Sequence, residues 1–392
     1  MNSHVTRFFK PLSHCRCGPW SSLMAVIILV NTVELAIGQE RENDATTGPR
    51  SISQKVLTET EWQQVETAVD RGLAFLIRQQ RSDGSFQTIA ENDPGISALC
   101  VMALMSRGHI PRQGPYGKQL DVAVNFLLES QQSDGLFSRQ RQSFHSPYNH
   151  GICSLVIAEL YGMCGADQES RFRGAIEKTL AFTSRRYSQP KLFPDDEGSW
   201  RYLKRHGDSD GDLSVTSWSV MFLRSAKNSG FEVDATLIDD ALAYMKRNYD
   251  PQRKTFRYQI HTNSEGTNYP RGMAGAGALS LSLSGEHHSE LAQNAAKHIL
   301  RLPFDQYTHP VAGEKYPCYG AFYCSQGMFH LGGEYWSEFY PRLVKTLLGA
   351  QRSDGSWVMH EGEEARYGQS YVTALTVLAL TPPYQMLPIF QR

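Results

Sequence analysis

The sequence has no excess of either charge: Lys and Arg number 39 and Asp and Glu 40 in 392 residues. No long acidic or basic run breaks that balance. A nucleic-acid partner, which calls for a basic face and a high pI, is excluded on this ground. Cysteine is sparse and irregular. Of the seven, Cys15 and Cys17 lie near the start. The others are Cys100, Cys153, Cys164, Cys318 and Cys324. An odd number at such spacing is no disulfide framework. Without a CxxC pair a structural zinc site is not expected, and nothing in the sequence implies a cofactor. Cys100 and Cys153 sit inside apolar runs, where a free thiol behaves as a small hydrophobe.

Long apolar runs are lacking as well, with one short exception at residues 23–30, Leu-Met-Ala-Val-Ile-Ile-Leu-Val. A membrane span needs about 20 such residues, and Asn31 and Glu34 interrupt this one. Arg7, Lys10 and Arg16 precede it and the small residues Ala36-Ile37-Gly38 follow it. That is the pattern of a secretory signal. Residues 1–38 are therefore expected to be a signal peptide or an uncleaved anchor, with residues 20–37 the part that contacts a membrane. The protein is expected outside the cytoplasm, secreted or periplasmic. Residues 39–60 are polar with Gly and Pro and read as a linker, leaving 61–392 as one domain.

What the sequence does have is a repeat. Gln79-Gln80-Arg81-Ser82-Asp83-Gly84-Ser85-Phe86, Gln131-Gln132-Ser133-Asp134-Gly135-Leu136-Phe137 and Gln351-Arg352-Ser353-Asp354-Gly355-Ser356-Trp357 match one another. Each follows a segment with one apolar stripe at helical spacing, such as Val65, Ala68, Val69, Gly72, Leu73 and Leu76. The Asp-Gly then turns the chain, since Gly tolerates positive φ. A second helix follows that is apolar nearly all round, as in the run from Gly95 to Met105. A helix without a polar face must be buried. Second helices of this kind are expected to begin near Gly95, Gly151, Ser214, Gly272, Gly320 and Gly368. First helices are expected near residues 172–182, 237–245 and 291–300, with Gly198-Ser199-Trp200 and Thr255-Phe256 as remnants of the turn. Amphipathic helices alternating with oily ones imply an outer layer around an inner one. The predicted fold is all-α, an α/α toroid of six hairpins, whose closure removes the ends that an open array must cap.

The Gln, Asp-Gly and Phe/Trp pattern resembles the QW motif of the squalene and hopene cyclases. The hairpin with its second helix Tyr367-Gly-Gln-Ser-Tyr-Val-Thr-Ala-Leu resembles the repeat of the wider superfamily that includes the protein prenyltransferases. The resemblance covers residues 61–383 and speaks for fold more than for function. It implies a structural role for Gln80, Phe86, Gln132, Phe137, Gln351 and Trp357, the glutamine capping a neighbouring helix and packing on the ring. Two departures bear on activity. Aligning Thr216 with the cyclase motif puts Ser214 where the protonating aspartic acid stands, and Val215 at the next acid. Near the transferases' zinc ligands only Cys318 falls in place, with Tyr316 where their Asp would be, and no imidazole stands at Gly368; His360 lies in the preceding loop.

In such a ring the mouth of the cavity lies at the starts of the inner helices, where free N–H groups gather. The residues just ahead of the small starters include Asp212, His150 and Arg271, the candidates for catalysis. Asp212 is equally an N-cap. Tyr319, Tyr323, Tyr367, Tyr371, Trp218 and Phe322 are the candidates for lining a ligand site, since aromatic faces stabilise developing cations. Residues 188–212 form a long insertion with Asp195-Asp196-Glu197, expected to cover one face of the ring; His145, Tyr148 and His150 lie at the matching place of the second repeat. Three functions fit: binding or transforming an isoprenoid or other apolar ligand or lipid, a binding or scaffold role that kept the ring without an active site, and a carbohydrate-active toroid. The last needs two carboxylates roughly 5–10 Å apart in the mouth.

Overall fold

A computed structural model describes residues 56–392 apart from 90–92, 142, 205–208, 263–267, 308–313 and 360. Residues 1–38, expected to be a signal peptide or anchor, nearly all of the expected linker 39–60, and His360 lie outside the described residues. Among the described residues there are twelve α-helices, in six hairpins. The outer helices are α1 (Glu59–Arg78), α3 (Gly117–Glu129), α5 (Glu169–Tyr187), α7 (Ala235–Arg247), α9 (Glu290–Arg301) and α11 (Gly333–Gly349). The inner ones are α2 (Asp93–Ser106), α4 (Ser146–Tyr161), α6 (Leu213–Asn228), α8 (Arg271–Leu283), α10 (Pro317–Leu331) and α12 (Gly368–Leu380). The only strands among the described residues, β1 (Tyr249–Asp250) and β2 (Thr255–Phe256), form a two-residue hairpin after α7. No helix among the described residues is long and apolar enough to cross a membrane.

Composition sorts the helices into two shells. Every residue of α2 is buried, as are nearly all of α12 and α10, whereas α1 buries only the stripe that runs from Val65 to Leu76. Full burial of one large aliphatic side chain contributes about 1.5–3 kcal/mol, so a helix apolar on every side has nowhere else to go. The inner helices pack in sequence, α2 on α4, α4 on α6, α6 on α8, α8 on α10, α10 on α12, and α12 back on α2. The ring is closed, and α11 and α12 both pack against α1. Small residues set the closest approach: a Cβ on Gly275 of α8 would lie 2.5 Å from the Cys324 nitrogen of α10. Cys100 and Cys153 are buried in the inner shell, and the cysteines of the described residues are unpaired.

The turn motif latches four of the six hairpins to the next outer helix. Gly84, Gly135, Gly198 and Gly355 have φ of +91°, +98°, +81° and +90°. A Cβ at any of them would overlap a carbonyl oxygen of the following outer helix, that of Val122, Lys178, Asp240 and Arg71 respectively. The last of these joins the sixth hairpin to the first. A glutamine side chain reinforces three of the latches. The Gln80 amide donates to the carbonyl of Gln119 at 2.9 Å. The Gln131 amide donates to that of Ala175 at 2.9 Å, and the Gln351 amide to that of Ala68 at 2.8 Å. The second repeat thus uses Gln131, not Gln132. The role belongs to the residue four before the turn glycine, and Gln132 instead donates to the Ser138 carbonyl at 2.6 Å. In the fourth hairpin Lys254, at φ +54°, takes the glycine's place ahead of Thr255-Phe256.

The aromatic residue two after each turn glycine, or after Lys254, is buried: Phe86, Phe137, Trp200, Phe256 and, at the closing hairpin, Trp357. The inner helices hold the backbone there. Ser97 Oγ accepts the Phe86 amide at 3.0 Å, and Thr216 Oγ1 accepts the Trp200 amide at 3.1 Å.

Gly135→Ala is expected to destabilise the ring by about 2–4 kcal/mol, combining strain at positive φ with a clash against backbone. Gly230→Ala, at φ +85° but with nothing within 4 Å of the added Cβ, is expected to cost about 1 kcal/mol. Urea unfolding of both variants checks the difference; equal losses would show that the Lys178 contact carries no weight.

Candidate functional site

The inner-helix N-termini surround a cavity of about 600 Å³. Roughly 300–1,000 Å³ is the usual range for small-molecule pockets. Its wall is rich in tyrosine, with His145, Asn149, Lys315, Glu363 and Arg366 also on it. Tyr148 comes from α4, Tyr319 from α10 and Tyr371 from α12, while Tyr202, Tyr258, Tyr316 and Tyr367 come from the segments that lead into inner helices. Ile96, Leu99, Ile152 and Met273 supply apolar surface between them. Beneath lies an aromatic floor: Trp218 stacks on Phe322 with centroids 5.7 Å apart and 7° between planes, and Tyr323 meets Trp218 edge-on. The short helical turn Pro388–Phe390 packs on α6, with Phe390 against Phe322.

Three hydroxyls meet on one wall. Tyr258 and Tyr202 are 2.9 Å apart, oxygen to oxygen, and Tyr148 stands 3.5 Å from Tyr258. Tyr258 donates in turn to Asp212 Oδ2 at 3.3 Å. Asp212 does not touch the cavity; it is fully buried and caps α6, accepting the Val215 amide at 2.7 Å. Burial raises its carboxyl to about 6, against the opposing charge of Arg201. On the opposite wall the Tyr319 hydroxyl bonds Ser214 Oγ at 2.7 Å and accepts the Trp218 indole N–H at 2.8 Å. Glu364 is buried behind it, taking the amides of Cys318 and Tyr319 at 3.0 and 3.1 Å. Burial lifts Glu364 to about 7.

The other two sequence candidates are turned away. His150 is buried between Phe137 and Phe182. Its Nδ1 accepts the Phe137 amide at 3.3 Å, the place that Ser97 and Thr216 fill in their repeats. The proton therefore sits on Nε2, which reaches Thr183 Oγ1 at 3.0 Å. Burial pushes His150 down to about 3, so it stays neutral. Arg271 is buried in an ion pair with Glu314 (Nε to Oε2 3.0 Å), with its guanidinium 3.6 Å above Phe304 and donating to the Leu302 and Pro303 carbonyls. Tyr319, Tyr367 and Tyr371 line the cavity, while Trp218, Phe322 and Tyr323 form the layer below. The insertion 188–212 reaches the cavity through Tyr202, but its acidic stretch Asp195-Asp196-Glu197 does not line it. Asp196 is buried and binds the Asp210 amide at 2.8 Å, tying the loop to itself. Among the described residues Glu363 is the only carboxylate on the wall, and it pairs with Arg366 at 2.9 Å.

Tyr202 and Tyr258 were not singled out from sequence. A signal existed: each stands two residues after a turn aromatic, Trp200 and Phe256.

Neither a family model nor a curated protein sequence matches the chain. Solved structures do. A variant of the type II terpene cyclase MstE from Scytonema, in complex with merosterolic acid A, is 14% identical with a TM-score of 0.55, covering 84% of this chain and 100% of that one. A family 76 glycoside hydrolase (mannosidase) from Bacteroides thetaiotaomicron is 11% identical, TM-score 0.57, covering 83% and 99%. The unsaturated glucuronyl hydrolase of Bacillus sp. GL1 is 12% identical, TM-score 0.57, covering 81% and 96%. At such identities the likeness shows the α/α toroid fold alone.

A neutral His150 makes a prediction about acid. Its folded pKa lies below its unfolded value, so the unfolded state binds more protons between about pH 3 and 6.5 and stability falls on acidification through that window. His150→Thr, which keeps an acceptor for Phe137, is expected to remove up to about 1.4 kcal/mol per pH unit of that slope. Urea titrations at pH 4 to 7 measure it. An unchanged slope would mean that His150 is already charged in the fold.

Proposed function

We propose that this chain is an extracytoplasmic toroid that binds an isoprenoid or a similar apolar ligand in the tyrosine-lined chamber. The observation that carries this reading is the chamber's construction: a roughly 600 Å³ space with largely aromatic and aliphatic walls, an aromatic Trp218–Phe322–Tyr323 floor, and Asp212 and Glu364 withdrawn behind the wall, the charged groups on it being Lys315 and the Glu363–Arg366 pair. The resemblance of its turns to those of the squalene and hopene cyclases supports the same ligand class. So does the MstE likeness, since that protein's structures hold a geranylgeranyl substrate and a terpenoid product. Placement outside the cytoplasm rests on the N-terminal pattern of Arg7, Lys10, Arg16 and the apolar run 23–30. The same segment offers a membrane contact.

Binding is favoured over cyclisation started by protonation. Ser214 stands where the cyclase resemblance calls for an aspartic acid, and its hydroxyl is engaged with Tyr319 at 2.7 Å. An aliphatic alcohol is far too weak an acid to protonate an alkene, and the nearest raised carboxyl, Asp212, reaches the chamber only through Tyr258. The sugar-cleaving alternative calls for two carboxylates roughly 5–10 Å apart in the mouth. Among the described residues the wall offers Glu363 alone. A scaffold with a filled centre is disfavoured by the chamber itself.

Titration with a C15 or C20 isoprenoid alcohol, followed by native mass spectrometry, is expected to show one ligand bound with a dissociation constant on the order of micromolar. Ile152→Trp, which projects into the chamber, is expected to weaken it at least tenfold, roughly 1.4 kcal/mol or more. Oligomannose is expected not to bind. Saturable sugar binding, or no isoprenoid uptake by wild type, would overturn the reading.

A further inference from the structure

The hydrogen bonds on the chamber wall formed by Tyr148, Tyr202 and Tyr258 all run one way, and Asp212 sets their direction. Asp212 is fully buried, and as the cap of α6 it accepts the Val215 amide at 2.7 Å through Oδ1. Its Oδ2 faces the Tyr258 hydroxyl at 3.3 Å. Burial lifts the carboxyl only to about 6, so at about pH 8 it is ionised and can accept but not donate. Tyr258 therefore gives its one hydrogen to Asp212. Backbone bonds hold Tyr258 in place for this: its carbonyl accepts the Leu213 amide at 2.8 Å, and its amide donates to the Asn268 carbonyl at 2.7 Å.

A phenol has a single hydrogen to give. With that of Tyr258 spent, its 2.9 Å contact with Tyr202 takes the hydrogen of Tyr202. The longer contact with Tyr148, 3.5 Å, runs the same way and takes the hydrogen of Tyr148. Bonds chained in this manner polarise one another, which reinforces the common direction. The wall thus turns its hydrogens inward to the buried carboxylate, and the Tyr148 oxygen meets the chamber as an acceptor. The opposite wall has no fixed direction, because Tyr319 and Ser214 can each give or take the hydrogen between them. The cationic donors on the wall, Lys315 and Arg366, are exposed, and Arg366 is held by Glu363 at 2.9 Å.

We propose that this wall selects, among apolar ligands of the chamber, those that end in a hydrogen-bond donor: an isoprenoid alcohol rather than the corresponding ether or aldehyde. The inference rests on the apolar-ligand reading and narrows it. An alcohol gives its hydrogen to the Tyr148 oxygen and extends the chain of bonds that ends at Asp212. An ether or aldehyde oxygen in that place sets lone pairs against lone pairs, and two acceptors stripped of water are left unpaired.

Titration of the intact protein at about pH 8 with a C15 isoprenoid alcohol, its methyl ether, the aldehyde and the parent hydrocarbon tests the proposal. The alcohol is expected to bind about tenfold or more tighter than the ether and the aldehyde, as the loss of one enclosed hydrogen bond implies. Asp212→Asn keeps a cap for α6, since Asn serves there as well as Asp. Its amide N–H then donates to Tyr258, and the Tyr258 hydrogen turns to the other two tyrosines and frees a donor for the chamber. The lead of the alcohol is expected to shrink to within about twofold. Tyr258→Phe, which removes the link to Asp212, is expected to shrink it likewise. Each affinity is read as a ratio to that of the hydrocarbon in the same variant, so a general change in chamber packing cancels. Equal binding of alcohol, ether and aldehyde to wild type, or a preference that survives both substitutions in full, overturns the directed wall while hydrocarbon uptake leaves the apolar-ligand reading standing. Failure of all four to bind overturns that reading and this inference together.

Discussion

A glycine pressed against the carbonyl of the next helix is the contact on which the ring depends. Four turns repeat it, at Gly84, Gly135, Gly198 and Gly355, each with positive φ and no room for a Cβ. The contact does two things at once. It ends an outer helix sharply enough for the chain to drop into the inner shell, and it sets the distance to the neighbouring hairpin. The buried aromatic that follows then fixes how deep the chain enters. Because the last such latch lands on α1, between Gly355 and Arg71, the repeat ends where it began. Hydrophobic burial drives the inner helices together; the latches decide that they meet as a circle.

The chamber follows from closure. The inner helices α6 and α10 fill the lower bore with Trp218, Phe322 and Tyr323, and the turn Pro388–Phe390 adds Phe390. At the upper end their N-termini spread, and tyrosines occupy the gap. Tyrosine suits that position because its ring covers apolar surface while its hydroxyl satisfies the polar groups that collect at helix starts. The carboxylates there serve backbone first: Asp212 caps α6 and Glu364 takes two amides at the start of α10. What faces the cavity is mostly aromatic and aliphatic surface, with tyrosine hydroxyls hydrogen-bonded among themselves and the Glu363–Arg366 pair at its edge.

The fold was legible in the sequence because three of the turns keep their motif and because oily and amphipathic helices have different periodicities. Even the worn turns at Gly198 and Thr255 stand where the repeat put them, the second with Lys254 in the glycine's role. The site was less legible, for reasons of register and of loops. His150 was placed at the mouth because it precedes Gly151, but α4 begins at Ser146, with Pro147 in its first turn. His150 therefore sits one turn inside the helix and points sideways at Phe137. Likewise Gln132 looked like the latch because it is the second glutamine of its pair, as Gln80 is of Gln79-Gln80, while hydrogen bonding counts back four residues from the glycine to Gln131. Tyr202 and Tyr258 ride on irregular segments, where neither helical period applies and only their offset from the turn aromatic betrays them.

Ring closure is tested most directly by the distance between α1 and the sixth turn. Arg71 donates to the Arg352 carbonyl at 2.7 Å and to that of Ser353 at 3.2 Å, although they are 281 and 282 residues apart in sequence. Spin labels at Arg71 and Ser353, both exposed, can be placed with Cys15, Cys17 and half-buried Cys164 changed to serine. Pulsed dipolar spectroscopy is then expected to give a single narrow distribution at the shortest separations the method resolves. A broad distribution reaching to long distances would mean an open superhelix, and with it neither a closed bore nor a chamber.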